Sequence, residues 1–321
     1  MPDHTPQPLK GLKALTFDVF GTVVDWRRPV EAALTKALKS PLTTTNNNNH
    51  NLQRRRSATT EDEAAERAEA EARAAALTPT HIAALAQEWR DSYKRFTRAF
   101  RPGVDAWKDV DAHHLDSLVA LLRRHGLWGV FAMGGGGRGG GTGNAPPPDE
   151  VRELSLVWHR LTPWPDSVGG LRALGTTTTG GGGGGEGEGD GGLGLGLVTA
   201  TLSNGNRTLL EDLDAFGGLG FGRLFSAEDF GAYKPDPRVY LGAVERLGCE
   251  PGEVAMVAAH LGDLDAARKL GLRTVYVERD GEEDREVGSE RYEAAKGWVD
   301  LWIGLDEGGF VEVARRLRDV V

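Results

Sequence analysis

The stretch that decides the fold of this chain is Phe17-Asp18-Val19-Phe20-Gly21-Thr22-Val23-Val24-Asp25. It completes a short apolar run, residues 12–17, that stops at Asp18 and breaks at Gly21, and this pattern predicts a buried strand followed by a tight turn. Ligands of open α/β sheets bind beyond the carboxyl ends of the strands, so Asp18 is expected in the crevice where chemistry takes place. An aspartate beside a glycine can also simply cap a turn.

The residue two places after Asp18 is Phe20. Many enzymes that begin with such a stretch carry a second aspartate there, which protonates a poor leaving group or helps to hold a metal. A phenylalanine can do neither. The sequence therefore predicts displacement of a leaving group that needs no proton.

Length and composition exclude several classes of protein. The 321 residues suffice for one full hydrophobic core and a second lobe. A net charge of −9 and the lack of a basic face argue against a nucleic-acid partner. The single cysteine, Cys249, excludes an intramolecular disulfide and a CxxC zinc site. The first eleven residues are polar and no run approaches the ~20 apolar residues of a membrane span, so a cytoplasmic protein without membrane contact is expected.

Three tracts look inserted into an otherwise regular pattern: 43–76, 133–150 and 176–192. The first is rich in Thr and Asn and then in Ala, Glu and Arg, which predicts disorder followed by a solvated helix. The other two are rich in Gly. A phosphate-binding loop needs a few spaced glycines between a strand and a helix, and these runs lack that pattern, which favours flexible linkers.

The remaining segments predict an α/β protein with a doubly wound, Rossmann-like parallel sheet and an inserted all-helical cap domain. Residues 27–161 contain helical patterns only, whereas strands and helices alternate after Trp164, as in parallel sheets. We therefore assign 1–26 and 162–321 to the α/β core domain and 27–161 to the cap. Further strands are expected at 197–202, 224–226, 254–259 and 274–277, and helices at 30–38, 79–93, 115–125, 151–160, 207–215, 237–247 and 263–270.

Four short segments follow strands of the predicted sheet: Asp18, then 203–206, 233–236 and 260–263. Each alone is weak, because Ser-Asn-Gly-Asn is an ordinary turn, Lys-Pro-Asp can start a helix, and Asp263 can cap one. Their order on successive strand–helix units is hard to ascribe to chance. Together they predict one site at the carboxyl edge of the sheet.

These segments give the chain its resemblance to a known family. It resembles the haloacid dehalogenase superfamily, and more closely its type II 2-haloacid dehalogenase branch. The resemblance spans nearly the whole chain outside the three tracts. The matching stretches are Phe17–Arg27, Leu161–Asp166, Thr201–Asn206, Ala232–Tyr240 and Met256–Thr274.

The resemblance implies a hydrolase that acts on carbon–halide bonds of small 2-haloalkanoic acids without a metal or other cofactor. Asp18 would attack the α-carbon, expel halide and form an aspartyl ester, and water would then release a 2-hydroxy acid. Lys234 would keep Asp18 ionised, Asp263 would order or deprotonate the water, and Thr22 would support the loop of the nucleophile.

Substrate contacts are implied in the same way. Ser203 and Asn204 would donate hydrogen bonds to the substrate carboxylate. Arg90, in the context Glu88-Trp89-Arg90, matches an arginine of the branch that receives the departing halide, for which a weakly hydrated guanidinium is suited. Phe20 and Tyr240 would line the pocket. A homodimer is common in the branch.

The chain departs from the branch after the strand expected at 254–259. It has Ala258 and His260 where better-known members have Ser and Asn, which places the hydrolytic step in question. His260 could position water, act as a base near neutral pH, or only hydrogen-bond across its loop. With Phe20, Ala259 also leaves few carboxylates for magnesium.

Two other functions stay open at this point. One is a metal-assisted phosphohydrolase acting on a small phosphorylated metabolite, for which Phe20 and Ala259 are the wrong residues. The other is a catalytically degenerate binding protein, against which the joint presence of Asp18, Ser203, Lys234 and Asp263 argues.

Overall fold

The strands form a parallel sheet and a short antiparallel pair. A computed structural model describes residues 9–39, 61–131, 146–175, 194–284 and 287–320. Most of the three inserted tracts lies outside these residues. Within them the strands are β1 (Ala14–Phe17), β2 (Val24–Asp25), β3 (Thr162–Pro163), β4 (Val198–Ser203), β5 (Arg223–Ser226), β6 (Val254–Ala258), β7 (Arg273–Val277) and β8 (Leu301–Ile303).

The sheet is doubly wound, as predicted. Its described strands pair in the order β5-β4-β1-β6-β7-β8, all parallel. The chain moves outward from β1 through β4 to β5, and then returns to the other side of β1 to start β6. The carboxyl ends of β1, β4 and β6 therefore lie side by side at the point where the order reverses, which is where open α/β sheets bind their ligands.

Helices connect these strands and also make up most of the described residues between 27 and 158. Helix 61–76 confirms the helix expected at the end of the first tract, with Ala70 and Ala74 buried. The described helices are α1 (Arg27–Lys39), α2 (Glu61–Ala76), α3 (Pro79–Ala99), α4 (Val110–Arg124), α5 (Asp149–Ser155), α6 (Ser167–Leu174), α7 (Arg207–Gly217), α8 (Pro237–Leu247), α9 (Leu261–Arg268), α10 (Glu290–Lys296) and α11 (Gly309–Arg318).

Local sequence explains where the helix after the Lys-Pro-Asp segment starts and stops. Asp236 caps α8 by accepting a hydrogen bond from the backbone N–H of Arg238, and Pro237 occupies the first turn, where its missing N–H costs nothing. The helix ends at Gly248, whose φ of +67° is left-handed. Tyr240 in the first turn of α8 is thereby fixed close to Lys234 in sequence and in space.

The chain divides into two compact units. The sheet unit comprises Met1–Trp26, Thr97–Trp107 and His159–Val321, and the helical unit comprises Arg27–Phe96 and Lys108–Trp158, so far as these ranges are described. The assignment of 1–26 and 162–321 to a core domain and of 27–161 to a cap stays a prediction. None of the described helices is long and apolar enough to cross a membrane.

Residues 97–107 group with the sheet although they follow a helix of the helical unit. The Arg98 guanidinium lies 3.1 Å from the Asp284 carboxylate. The Trp107 ring stacks on Tyr233 with centroids 4.7 Å apart, and the Phe100 ring meets Tyr233 edge-on at 5.3 Å. This segment thus covers the residue that precedes Lys234.

The core of the sheet unit is apolar. Sequence patterns predict only some of the strands and helices of this unit. Phe17 of β1 is fully buried and meets the Phe310 ring edge-on at 5.2 Å. Sequence patterns did not predict β2, β3, β8, α6, α10 or α11. The β2–β3 pair joins the segments just before and just after the helical insertion through Val24 and Pro163.

Candidate active site

Asp18 lies at the tip of β1, as the sequence predicts. Its backbone N–H donates to Val257 O of β6 at 3.0 Å, and its side chain is largely buried. Gly21 has a φ of +83°, which lets the chain turn back so that the Thr22 hydroxyl donates to Asp18 Oδ2 at 2.8 Å. Thr22 Oγ1 in turn accepts from the N–H of Ala259 at 3.0 Å. The turn after Asp18 is therefore fixed to the end of β6.

Lys234 connects two carboxylates. Its ammonium lies 2.9 Å from Asp18 Oδ1 and 2.6 Å from Asp263 Oδ2, and all three side chains are largely buried. The main chain of Lys234 is held by Asn204, whose Oδ1 accepts from the Lys234 N–H at 2.7 Å and whose Nδ2 donates to its carbonyl at 3.5 Å. The turn after β4 thereby fixes the position of the cation.

Electrostatics keep the Asp18 carboxyl group ionised. Burial opposes ionisation of Asp18, but the charge of Lys234 and the contact with His260 outweigh it and hold the pKa of Asp18 well below its ordinary value. Burial likewise opposes the charge of Lys234, yet Asp18 and Asp263 raise the pKa of its ammonium. Asp18 is thus a carboxylate, and Lys234 a cation, over the whole neutral range.

Asp263 lies in the first turn of α9 and has two donors. Besides Lys234, the Tyr240 hydroxyl donates to Asp263 Oδ1 at 2.5 Å. Burial raises the pKa of the Asp263 carboxyl, against the opposing effect of Lys234. Burial and Asp263 together raise the pKa of Tyr240 well above its ordinary value, so its hydroxyl stays a donor. A carboxylate with a raised pKa is a better proton acceptor near neutral pH.

His260 contacts Asp18 directly. Its Nδ1 lies 3.1 Å from Asp18 Oδ2, and its Nε2 lies 3.6 Å from Glu282 Oε2. Burial disfavours the imidazolium, but the hydrogen bond with Asp18 and the nearby charge of Glu282 raise the pKa of His260 to about 9. The ring is therefore protonated at neutral pH. A protonated ring cannot accept a proton, which argues against the base among its expected roles.

The turn after β4 supports the site through its backbone. Ser203 is fully buried, and its hydroxyl oxygen accepts from the Gly205 N–H at 3.1 Å. Phe20 is also buried, and its ring packs so close to Gly205 that a Cβ there would lie 3.1 Å from it. Phe20 thus shapes the wall of the turn that carries Ser203 and Asn204. Their substrate contacts stay predictions.

Arg90 belongs to α3 in the helical unit. It is 4% exposed, and its guanidinium lies over the Tyr93 ring, 4.9 Å from the centroid. The neighbouring Trp89 indole N–H donates to the His114 carbonyl at 3.1 Å, which fixes this part of the helix. The part of Arg90 in receiving halide stays a prediction.

The structure brings together most of the predicted site residues, all within the sheet unit: Asp18, Thr22, Lys234, Tyr240, His260 and Asp263 are joined by direct contacts, with Asn204 on the backbone of Lys234. Sequence patterns missed Glu282, one of several acidic residues between 280 and 284. In the described ranges no group of three or more His, Cys, Asp or Glu side chains could hold a metal ion.

The sequence of the chain matches a known protein family. A family model described as haloacid dehalogenase-like hydrolase matches residues 12–271, which is well over half of the chain. The chain belongs to the haloacid dehalogenase-like hydrolases. This confirms the resemblance that its motifs indicate.

Relatives place it near the 2-haloacid dehalogenases. It is 34% identical over 133 residues to (S)-2-haloacid dehalogenase 1 of Pseudomonas sp. (strain CBS-3), a match that covers 41% of this chain and 51% of the relative. The match thus spans about half the length of that relative. A solved defluorinating L-2-haloacid dehalogenase is 28% identical, with a TM-score of 0.65 and coverage of 99% of this chain and 100% of its own. A second L-2-haloacid dehalogenase is 30% identical, with a TM-score of 0.62 and coverage of 96% and 100%.

Proposed function

We propose that this protein hydrolyses the carbon–halogen bond of small 2-haloalkanoic acids through an ester on Asp18 and releases 2-hydroxy acids. The observation that carries the proposal is the environment of Asp18. Its carboxylate is buried between the Lys234 ammonium and the His260 ring, while Phe20 stands where an acid for the leaving group would be needed. A halide leaves as a stable anion, so this arrangement supplies what the displacement requires.

In the first step, an Asp18 oxygen forms a bond with the α-carbon of the substrate. The carbon–halogen bond breaks on the opposite side, and the halide departs with the electron pair. In-line displacement inverts the carbon centre. Lys234 stabilises the attacking carboxylate in the ionised state, and because its own pKa is raised it keeps its proton.

In the second step, water attacks Cγ of Asp18. Asp263 accepts a proton from that water. The bond between Cγ and the Asp18 oxygen that is bonded to the substrate then breaks, and that oxygen leaves with the product as the hydroxyl group of the 2-hydroxy acid. The raised pKa of Asp263 and its donors, Lys234 and Tyr240, support this role.

The remaining residues would hold the substrate. Ser203 and Asn204, with the backbone N–H groups of their turn, would bind its carboxylate, Arg90 would receive the halide, and Phe20 and Tyr240 would limit the size of the pocket. The names of the relatives favour the (S) substrate. A cytoplasmic location and a homodimer are further parts of the proposal.

One assay series tests this function. Halide release from L- and D-2-chloropropionate is measured with a chelator present, phosphate release from an aryl phosphate is measured with magnesium, and both are repeated with Asp18→Asn. Asp306→Asn, an exposed aspartate of the sheet unit, is the matched control. We expect halide release that survives chelation, is unchanged in the control and vanishes in Asp18→Asn. Magnesium-dependent phosphate release without halide release would instead make the chain a phosphohydrolase.

A further inference from the structure

His260 holds a buried position between two carboxylates from different parts of the sheet edge. It follows β6 and precedes α9, Asp18 follows β1, and Glu282 lies in the loop after β7. Asp18 and Glu282 are only 8% and 5% exposed. Two buried carboxylates in contact with one ring require a cation between them, because an uncompensated buried charge is costly. The ring is therefore an imidazolium whose Nδ1–H donates to Asp18 Oδ2.

The chain makes room for Glu282 at this position. A Cβ on Gly21 would lie 2.0 Å from Glu282 Oε2, so the carboxylate occupies the space that a side chain at residue 21 would fill. Gly21 is thus required for two reasons: it leaves space for the Glu282 carboxylate, and it has the left-handed φ that the turn after Asp18 requires. The turn that carries Asp18 thus leaves space for the Glu282 carboxylate beside Nε2 of His260.

The two oxygens of Asp18 have different partners. Oδ1 contacts the Lys234 ammonium at 2.9 Å, whereas Oδ2 accepts from the Thr22 hydroxyl at 2.8 Å and from His260 Nδ1 at 3.1 Å. An oxygen with two donors is the poorer nucleophile, so Oδ1 is the atom that attacks the substrate. Oδ2 then becomes the carbonyl oxygen of the ester and keeps both donors.

Resting on the proposed function, we propose that His260 is a catalytic residue of ester hydrolysis. With Thr22 it forms the oxyanion site at Asp18 Oδ2, and Glu282 is a positioning residue that holds its ring. Both donor distances fall in or at the edge of the ~2.7–3.1 Å range of effective oxyanion donors. His260 thus contributes a charged donor where better-known members of the branch have a neutral amide.

The step balances as follows. Water adds to Cγ, the carbonyl π pair moves to Oδ2, and Asp263 takes one proton from the water. When the carbonyl bond forms again, the Cγ–Oδ1 bond breaks and Oδ1 leaves with the substrate as its hydroxyl, with the proton returned by Asp263. The regenerated carboxyl group of Asp18 ionises and releases one proton to solvent.

Geometry argues against the other roles that an imidazolium could have. The halide departs on the side of the carbon opposite to Asp18, whereas the His260 ring contacts Asp18 itself, so it does not serve the leaving group. It cannot act as a base while it is protonated. Its charge can lower a reaction barrier at Oδ2, the oxygen on which negative charge develops during hydrolysis of the ester.

The charged groups around His260 set the pH at which this contribution ends. Asp18 faces it from the end of β1 and Glu282 from the loop after β7, while Lys234 and Asp263 act through Asp18. Because the pKa of His260 is raised to about 9, the donor is charged below that pH and is lost above it. Lys234, with its raised pKa, stays charged over the same interval.

Rapid-quench kinetics with 2-chloropropionate test the inference in His260→Ala, His260→Asn and Glu282→Gln. Intact-protein mass spectrometry reports the carboxyethyl ester on Asp18, and halide is measured in the same samples. His159→Asn is the control, since His159 is bonded to Asp212 and not to Asp18. In His260→Ala we expect a first-turnover halide burst, accumulation of the ester and a loss of about 100-fold or more in steady-state turnover. His260→Asn, which keeps a neutral donor, should lose less.

Several outcomes would overturn the inference. One is a loss of the burst and of turnover to the same extent, without ester, in folded His260→Ala. Another is turnover in the wild type that does not fall above pH about 9, or a fall that Glu282→Gln does not shift to lower pH. If the wild type releases no halide at all, the proposed function itself fails. NMR titration of His260 still decides its charge in that case: a value that does not drop in Asp18→Asn would refute the contact on which the inference depends.

Discussion

Two ion pairs of the sheet unit, Asp166–Arg279 and Asp18–Lys234, differ in the geometry with which the cation bonds the carboxylate. Asp166 is bound by both terminal nitrogens of Arg279, at 2.6 and 2.7 Å, and accepts a third bond from the N–H of Phe310 at 2.7 Å. Asp18 meets the Lys234 ammonium through Oδ1 alone, at 2.9 Å. A bidentate guanidinium occupies both oxygens of a carboxylate in one plane, whereas an ammonium acts as a point charge.

The difference separates a structural ion pair from a reactive one. Arg279 fixes Asp166 and also donates through Nε to the carbonyl of Thr22 at 3.1 Å, so this pair supports the turn of the nucleophile. Lys234 ionises Asp18 but leaves Oδ1 a lone pair with which to attack. Each carboxylate accepts three bonds, so charge and the number of donors do not distinguish the two pairs, whereas the geometry with which the cation bonds the carboxylate does.

Neutralising the two aspartates should separate these roles most strongly. In Asp18→Asn we expect halide release to fall by at least about 10⁴-fold, because the nucleophile is lost. In Asp166→Asn we expect turnover within about tenfold of the wild type and a loss of roughly 3 kcal/mol in the free energy of unfolding, because Arg279 is left buried without its partner. Steady-state kinetics and urea denaturation of both variants check this. Comparable losses of turnover would contradict the division.

Replacing the ammonium with a guanidinium should turn the reactive pair into one that resembles the structural pair. We expect Lys234→Arg to stay folded and ionise Asp18, yet to lose about 100-fold in turnover, or close to 3 kcal/mol of barrier, because a guanidinium would bond both Asp18 oxygens in one fixed plane and restrict the attack of Oδ1. Pre-steady-state halide release measures the effect on the first step. Arg279→Lys is the reciprocal variant, and it should lose stability while its turnover changes little.

The same contrast extends to Arg90 of the helical unit. If it receives the halide, Arg90→Lys should lower halide release by roughly tenfold and change the ranking of chloro, bromo and iodo substrates, because an ammonium is more strongly hydrated than a guanidinium. Arg124→Lys is the control, since that arginine is exposed and paired with Glu88. An unchanged ranking in folded Arg90→Lys would argue that Arg90 only packs on Tyr93.

Tyr240→Phe removes one donor from Asp263 and leaves Lys234 in place. Because a lost hydrogen bond to a charged group costs about 1.5 kcal/mol, we expect roughly tenfold slower hydrolysis of the ester. Loss of a donor to the carboxylate also raises the pKa of Asp263 further, so the acid limb of the rate should move to higher pH. A pH profile of single-turnover ester decay tests both, and an acid limb that stays in place would show that Asp263 is not the group that titrates.

The smallest effect should appear in the pH dependence of stability. The pKa of His260 is raised above 6.5, so its contribution is fully present below that pH and is lost as pH rises through about 9. The pKa of Asp166 is lowered, so its contribution is present above its ordinary value of 3.8 and is lost only as pH falls below it. Thermal unfolding across pH should show the alkaline loss diminished in His260→Asn, and an unaltered alkaline slope would contradict it.

Much of the fold could be predicted because its signals are local. The strands β1, β4 and β6 are runs of apolar and small hydroxyl residues, nearly all buried, that are followed within two residues by Asp18, Asn204 and His260, and such runs predict buried parallel strands. By contrast, β8 has three residues, of which only Ile303 is buried, so its pattern resembles a loop. Its place at the edge of the sheet depends on pairing with β7 and not on its own sequence.

The site residues likewise divide into those that sequence motifs predict and those that depend on contacts between distant parts of the chain. Asp18, Lys234 and Asp263 occur in short motifs after strands, and the topology brings the ends of those strands together. Glu282 could not be singled out, because nothing in an acidic loop sequence distinguishes the residue that turns inward from its neighbours. The role of Asn204 in holding the backbone of Lys234 depends in the same way on a contact across 30 positions of the chain.

The aromatic cover of Tyr233 by residues 97–107 has a practical consequence for engineering. Deletion of the whole helical insertion to make a smaller protein would also remove Phe100 and Trp107. Tyr233, which precedes Lys234, would then be exposed to solvent. When helical insertions are exchanged between relatives, the crossover points should therefore be chosen so that residues 97–107 stay with the sheet unit.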